Sequence, residues 1–147
     1  MSNLPSVRFI YFYCQDLAAM RHFYSELIGL KETYFSEDDR PSVAYDCDGL
    51  QFTIYKSDNV SVTPNEYALQ PGWLGGTKLS VSWSIPVPSG DYAKTISKLQ
   101  ASSVDSFSPG PKWVGYWSFP VLDPMGNTVE VVTSPPTEPE NKEWPSN

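Results

Sequence analysis

The sequence predicts an α+β protein in which one βαβββ pattern is written twice. Residues 7–56 form the first copy and residues 78–133 the second, and each reads as a strand, a helix and three further strands. A copy of about 50 residues is too short to bury a full core alone, so the two copies are expected to complete one together. The length of 147 residues agrees with a single domain of this kind.

The first copy opens with a strand over residues 7–14, indicated by aromatic and β-branched side chains. Asp16 is the predicted N-cap of the helix that follows, and Gly29 is its expected C′ residue. The apolar stripe of this helix contains Leu17, Met20, Phe23, Tyr24, Leu27 and Ile28. The remaining strands cover residues 31–35, 41–47 and 50–56, with Asp48 and Gly49 in the last hairpin turn.

The second copy opens with residues 78–87, where apolar and serine side chains alternate as in a half-buried strand. The apolar row contains Leu79, Val81, Trp83 and Ile85, and the serine row contains Ser80, Ser82 and Ser84. Ser89 or Asp91 is expected to cap a helix. That helix carries Tyr92, Ile96 and Leu99. A short strand over residues 104–107, a Pro/Gly loop and a strand over residues 114–122 follow, and a last strand over residues 128–132 completes the copy.

Two segments lie outside the repeat. Residues 57–77 read as a long irregular linker, and structureless loops of that length are uncommon and often functional. Residues 134–147 are rich in proline and glutamate and show no periodicity. They are therefore either a disordered tail or an arm that Trp144 anchors.

Composition excludes several classes of partner. The net charge of −7 and the pI of about 4.5 argue against nucleic acid and anionic membranes. Cys14 and Cys47 match no metal or redox spacing, so we expect small buried residues of a reducing compartment. No window has the length of a membrane helix, and residues 1–20 lack the order of a signal peptide. We expect a cytoplasmic protein.

The most informative stretch is the turn Asp-Pro-Met-Gly-Asn at residues 123–127 with the strand that follows it. Proline, glycine and asparagine favour a tight hairpin here, the last two by accepting positive φ. Glu130 is the only acidic residue of the next strand, residues 128–132. A carboxylate on an apolar strand needs a partner, because burying an unpaired charge is costly.

This turn with its glutamate, and the helical stretch Arg-His-Phe-Tyr-Ser-Glu-Leu-Ile-Gly-Leu at residues 21–30, resemble the vicinal oxygen chelate superfamily. That superfamily includes glyoxalase I, extradiol dioxygenases and bleomycin-resistance proteins. The resemblance implies two βαβββ modules whose curved mixed sheet surrounds a central cup, with helices outside. In metal-dependent members, each module provides one metal ligand from its first strand and one from its last.

In this chain the corresponding positions fall on Phe9, Thr53, Ser80 and Glu130. Only Glu130 carries a strong metal-binding group, and a divalent ion needs three or four such donors. We therefore expect no metal and no other cofactor. His22, the single histidine, is expected on the polar face of the first helix rather than in a site.

The same positions suggest a ligand-binding wall. By alternation, Phe9, Tyr11 and Tyr13 share one face of the first strand, while Ile10, Phe12 and Cys14 share the other. The remaining candidate binding residues are Thr53, Tyr55, Ser80, Ser82, Trp113, Tyr116, Trp117 and Glu130, with Phe119 as a further ring. Large rings opposite small side chains leave a slot for a flat ligand, although any one ring is as readily part of the core.

The leading functional hypothesis is metal-free binding of a small aromatic or amphipathic molecule, as in the antibiotic-sequestering members that the chain resembles. The alternative is a lyase, isomerase or dioxygenase-type enzyme in which Glu130 is a catalytic general base. A regulatory interaction domain is a third reading. An open cup exposes apolar surface, so we also expect a twofold homodimer.

Overall fold

The computed structural model describes residues 4–62, 66–69 and 75–145, and the chain divides into two compact units, Met1–Val62 and Thr63–Asn147. Each unit contains a four-stranded mixed sheet, and the strand orders are β1-β4-β3-β2 and β5-β8-β7-β6. In both sheets the first strand of the unit is an edge strand that pairs in parallel with the last. The predicted α+β class with a repeated βαβββ order is confirmed.

The first unit contains β1 (Phe9–Cys14), α1 (Leu17–Arg21) and a π-helical continuation (His22–Ile28). The other strands are β2 (Glu32–Ser36), β3 (Ser42–Cys47) and β4 (Leu50–Lys56). Asp16 caps α1 as predicted, because its Oδ1 accepts a hydrogen bond from the Ala19 amide at 3.0 Å. Gly29 ends the helical segment with a φ of +94°.

The core of the first unit lies between the helical segment and one face of the sheet. Phe52 on β4 is at its centre, with ring centroids 5.4 Å from both Phe12 and Tyr24 and 6.3 Å from Tyr45. Phe23 and Tyr24 contribute rings from the π-helical segment and are buried. The core face of the sheet therefore carries Ile10, Phe12 and Cys14 of β1, as the alternation predicted.

A polar network fixes the π-helical segment to the sheet. Arg21 Nη2 lies 2.9 Å from Glu32 Oε1, and the Ser25 hydroxyl donates to Glu32 Oε2 at 2.7 Å. The hydrogen bond from Arg21 holds the pKa of Glu32 below its usual value. Ser25 also contacts the Tyr45 hydroxyl at 2.7 Å, and burial raises the pKa of Tyr45 to about 12. Each of these four side chains has a hydrogen-bond partner within the network, so we assign the network a structural role.

The second unit contains β5 (Ser82–Pro88), α2 (Ser89–Ala101), β6 (Lys112–Trp113), β7 (Trp117–Leu122) and β8 (Thr128–Ser134). The prediction of a strand over residues 78–87 was wrong at its start, because Leu79 and Val81 precede β5 and are 95% and 77% exposed. Its end lies one residue beyond the prediction, at Pro88, and β5 contains two prolines, Pro86 and Pro88. An edge strand tolerates proline because its outward positions need not donate to a neighbour.

Two smaller expectations in this unit are also corrected. The N-cap of α2 is Pro88, and neither Ser89 nor Asp91 caps it through a side chain. Residues 104–107 form no strand, and only Ser106 makes an isolated bridge, to Val121.

The hairpin turn between β7 and β8 is organised by Asp123. Its Oδ1 accepts hydrogen bonds from the Met125 and Asn127 amides, both at 2.9 Å. Asn127 Nδ2 donates to Asp123 Oδ2 at 2.9 Å. Within the turn only Gly126 takes a positive φ, +79°. Asn127 therefore stabilises the turn through the hydrogen bond of its side chain and not through a left-handed backbone conformation.

The linker predicted over residues 57–77 is described only in part, because residues 63–65 and 70–74 lie outside the described residues. Ala68 forms a parallel bridge with Thr77, and its amide donates to Thr128 Oγ1 at 2.8 Å. Residues 66–69 and 75–77 therefore belong to the second unit, whereas residues 57–62 belong to the first. Within the described ranges, no helix is long and apolar enough to span a membrane.

Candidate functional site

The first unit presents a row of aromatic side chains on the face of its sheet opposite the helical segment. This aromatic row consists of Phe9, Tyr11, Tyr13 and Tyr55. Ring centroids are 5.4 Å apart for Phe9 and Tyr11, and 5.9 Å apart for Tyr13 and Tyr55. Tyr11 lies between them, with centroids 6.3 Å from Tyr13 and 6.1 Å from Tyr55. The structure thus brings these four predicted site residues together.

The rings of the aromatic row are not core. Phe9, Tyr11 and Tyr13 remain 44%, 55% and 49% exposed, whereas Cys14 on the opposite face of β1 is fully buried. Tyr55 is half-buried. Large aromatic rings are usually buried in folded proteins. Three half-exposed rings on one strand therefore present an apolar surface that a ligand can cover.

Thr53 lies beside the row on β4, where it pairs with Tyr11 across the parallel ladder. It is buried, and its hydroxyl accepts a hydrogen bond from Gln51 Nε2 at 3.2 Å. Ala44 and Ser42, the next side chains across the sheet on this face, are also buried and small. Small side chains therefore lie next to the large rings within the first sheet.

The second unit holds Glu130 on β8 in a polar group that we term the Glu130 cluster, formed with Ser118 and Tyr116. The Ser118 hydroxyl donates to Glu130 Oε1 at 2.6 Å. Burial, together with the charge of Glu130 and a hydrogen bond to it, raises the pKa of Tyr116. Glu130 is half-buried, so its carboxylate lies between the core and the solvent.

The serine positions on β5 are corrected by the strand register. Ser84 pairs with Glu130, and Ser82 is two residues earlier in the same row. Ser80 precedes β5 and is exposed, so it does not stand beside Glu130. The prediction placed Ser80 there because the apolar alternation of residues 78–81 was read as part of the strand.

Trp113 and Trp117 were grouped with Glu130, and the structure separates them from it. Trp117 shares its row with Phe119 on the face of the sheet that packs against α2, whereas Ser118 and Glu130 lie on the other face. The rings of Trp113 and Trp117 pack together at 5.6 Å. Of the predicted binding residues Trp113, Tyr116 and Trp117, Tyr116 is the one that interacts with Glu130.

Ser118 is the site residue that the sequence interpretation missed. The signal was present, because Trp117, Phe119 and Val121 form one apolar row and so leave Ser118 in the alternate row. That row is the one Glu130 occupies across the antiparallel β7–β8 pair.

The residues at the first- and last-strand positions do not fit a divalent metal ion. In the first unit these rows offer Phe9, Tyr11, Gln51 and Thr53, none of which is a strong ligand. In the second unit they offer Ser84 and Glu130, hence a single carboxylate. Among the residues that the structure describes, no three His, Cys, Asp or Glu side chains are grouped so that they could hold a metal.

His22 lies at the start of the π-helical segment, and its Nδ1 is 2.7 Å from Glu26 Oε2. Both side chains are largely exposed, and the pair has the i,i+4 spacing of a helix-surface contact. This placement agrees with the surface position expected for His22.

Comparisons with known proteins agree with this geometry. No family model matches the sequence, and no curated protein matches it. Among solved structures, a glyoxalase/dioxygenase from Nostoc punctiforme is similar, with 18% identity, a TM-score of 0.68 and coverage of 90% of this chain and 93% of that chain. A lactoylglutathione lyase from Agrobacterium tumefaciens has 18% identity, a TM-score of 0.57 and coverage of 90% and 96%.

The fosfomycin resistance protein FosX from Listeria monocytogenes is also similar, with 15% identity, a TM-score of 0.60 and coverage of 95% and 96%. These likenesses extend over nearly the whole of both chains in each comparison, so they concern the complete fold rather than one module. The chain therefore has the glyoxalase/bleomycin-resistance/dioxygenase fold, and its resemblance to the vicinal oxygen chelate superfamily is confirmed at the level of the fold.

Proposed function

We propose that this protein binds a small planar molecule on the aromatic row of its first unit, without a metal ion. The observation that carries the proposal is the half-exposed set Phe9, Tyr11 and Tyr13, whose rings lie in contact on one strand. A similar fold in a protein named for fosfomycin resistance is consistent with a ligand of drug-like size.

The chemistry of the row defines the class of ligand. Three tyrosine hydroxyls, Thr53 and Gln51 supply neutral donors and acceptors, and the rings supply stacking faces. None of these groups is charged, so the row offers no ion pair to a strongly ionic ligand. A flat, uncharged or weakly amphipathic molecule is the ligand that this surface matches.

We expect Tyr11→Ala to weaken binding of the uncharged fluorescent probe N-phenyl-1-naphthylamine roughly tenfold, because the central ring of the row contributes about 0.5–1.5 kcal/mol per ring contact. Fluorescence titration measures the effect, and EDTA should leave the affinity unchanged. Leu79→Ala is the control, since Leu79 is an exposed apolar side chain of the second unit and lies outside the sheet that carries the aromatic row.

An equal loss in both variants would mean that the probe binds without using the row. A loss of binding on adding EDTA would contradict the metal-free part of the proposal.

The second candidate function is an enzyme that uses the Glu130 cluster. It is favoured by one observation, the carboxylate of Glu130 with the Ser118 hydroxyl at 2.6 Å and the Tyr116 hydroxyl as a further partner. Such a group could accept a proton from a bound substrate. The same contacts equally make Glu130 an orienting acceptor for a ligand hydroxyl or N–H group.

The Glu130→Gln variant separates these roles. Under the binding proposal, neither the wild type nor Glu130→Gln turns over the adduct of methylglyoxal and glutathione, the substrate suggested by the lyase of similar fold. Wild-type turnover that falls at least about 100-fold in Glu130→Gln, in line with loss of a general base, would instead establish an enzyme. Product formation followed by absorbance is the measurement.

A further inference from the structure

The C-terminal segment 135–145, termed the arm, returns from the end of β8 to the second unit and is fixed there by one side chain. From Ser134 to Pro145 every residue is exposed except Pro139 and Trp144, which are half-buried. The ion pair of Lys142 with Glu138, 2.9 Å long, lies within the arm and does not tie it to the unit. Trp144 is therefore the anchor.

Trp144 occupies an aromatic cleft between α2 and the loop of residues 108–113. Its ring centroid is 5.0 Å from that of Trp117 and 5.6 Å from that of Tyr92, with both contacts nearly edge-on. A Cβ added at Gly110 would make a tight contact, 3.3 Å from Trp144 Cδ1, so the indole lies close to the loop backbone. One isolated antiparallel bridge, Lys112 with Glu143, accompanies the anchor.

The walls of this cleft are held by bonds in which the arm takes no part. The Tyr92 hydroxyl donates to the Val131 carbonyl at 2.8 Å, which fixes α2 to the sheet. Gln100 Nε2 donates to the Pro109 carbonyl at 3.0 Å, and the Ser108 hydroxyl donates to the Gly110 carbonyl at 2.8 Å. The walls of the cleft are therefore held in place without the arm. A cavity of about 980 Å³ lies beside Trp144, and the arm itself forms one side of it through Lys142, Glu143, Trp144 and Pro145.

We propose that this cleft is a recognition site for a tryptophan-bearing chain segment and that the arm is its resident, releasable occupant. A preformed cleft, a single aromatic anchor and an exposed tether are the features of a tethered ligand. They differ from those of a core element, which would bury residues along its whole length. A flexible tether holds such a ligand at an effective concentration on the order of millimolar, so the arm of the same chain occupies the cleft by default.

The proposal is tested with the full-length Trp144→Ala variant, which vacates the cleft, and a fluorescein-labelled peptide of residues 135–147. Fluorescence anisotropy should show that the variant binds the peptide. The wild type should bind it at least about tenfold more weakly, because its own arm competes at high effective concentration. A peptide in which the residue equivalent to Trp144 is alanine should not bind either protein.

A second substitution tests the position of the indole. Gly110→Ala, introduced into Trp144→Ala, should weaken peptide binding several-fold, because the new methyl group crowds the site of Cδ1. Three results would overturn the proposal. They are no binding of the peptide by Trp144→Ala, equal binding by variant and wild type, and unfolding of Trp144→Ala, which would make the arm an integral part of the core.

Discussion

Replacing Phe52 with alanine should lower the free energy of unfolding by about 3–5 kcal/mol, the usual cost of removing a buried phenylalanine ring. Phe52 is 5% exposed, and its ring lies against those of Phe12, Tyr24 and Tyr45. The substitution removes the common contact of β1, β3 and the π-helical segment. Urea denaturation followed by circular dichroism measures the loss.

Tyr11→Ala is the matched control for Phe52→Ala, because it also removes a ring from the sheet of the first unit but from the opposite, half-exposed face. Its cost should be less than half that of Phe52→Ala, since an exposed ring has less apolar surface to lose from the interior. Ile10, on the core face of β1, is only half-buried, so Phe52 gives the sharper comparison. If Tyr11→Ala destabilises the protein as much as Phe52→Ala, the aromatic row is core and the proposed binding surface is wrong.

Asp123→Ala should cost about 3 kcal/mol of stability, because hydrogen bonds to a charged acceptor contribute about 1.5–3 kcal/mol each and some of the loss is recovered by water. The buried carboxylate accepts from the Met125 and Asn127 amides and from the Asn127 side chain. Losing it loosens the turn that sets the β7–β8 register, on which the pairing of Ser118 with Glu130 depends.

Asp123→Asn keeps one oxygen acceptor and should cost clearly less than Asp123→Ala. Both are compared with the wild type by urea denaturation. A change below about 0.5 kcal/mol for Asp123→Ala, the size usual for surface substitutions, would show that the turn holds its shape without the carboxylate.

The sequence predicted the elements whose ends carry local signals. The strand over residues 50–56 was predicted with the bounds the structure has, since Asp48 and Gly49 both take positive φ and fix its start. Asp16, through its side-chain cap, and Gly29, through its positive φ, likewise marked the ends of the helical segment. Its π-helical part could not be predicted, because a stripe of apolar residues does not distinguish a slightly wider turn from an α-helical one.

The errors in the site arose at strands whose alternating pattern has no turn or capping residue to mark where the strand begins or ends. Leu79 and Val81 continue the apolar row of β5 in the sequence, but they lie before the strand and are exposed. Trp113 and Trp117 were placed beside Glu130 because aromatic residues suit either a core or a binding wall, and only the β7–β8 register decides between the two faces. The aromatic row on β1 was predicted correctly as one face, because Asp16 fixed where that strand ends.

The two prolines of β5 have a consequence for how copies of this chain meet one another in concentrated solution. A proline in a strand must turn its nitrogen away from the neighbour it pairs with, so Pro86 and Pro88 remove donors from the outer side of β5. A strand from another molecule that tried to extend this sheet would find gaps in the ladder, which discourages amyloid-like stacking. The equivalent edge strand of the first sheet, Phe9–Cys14, contains no proline, so protection against aggregation is unequal between the two sheets.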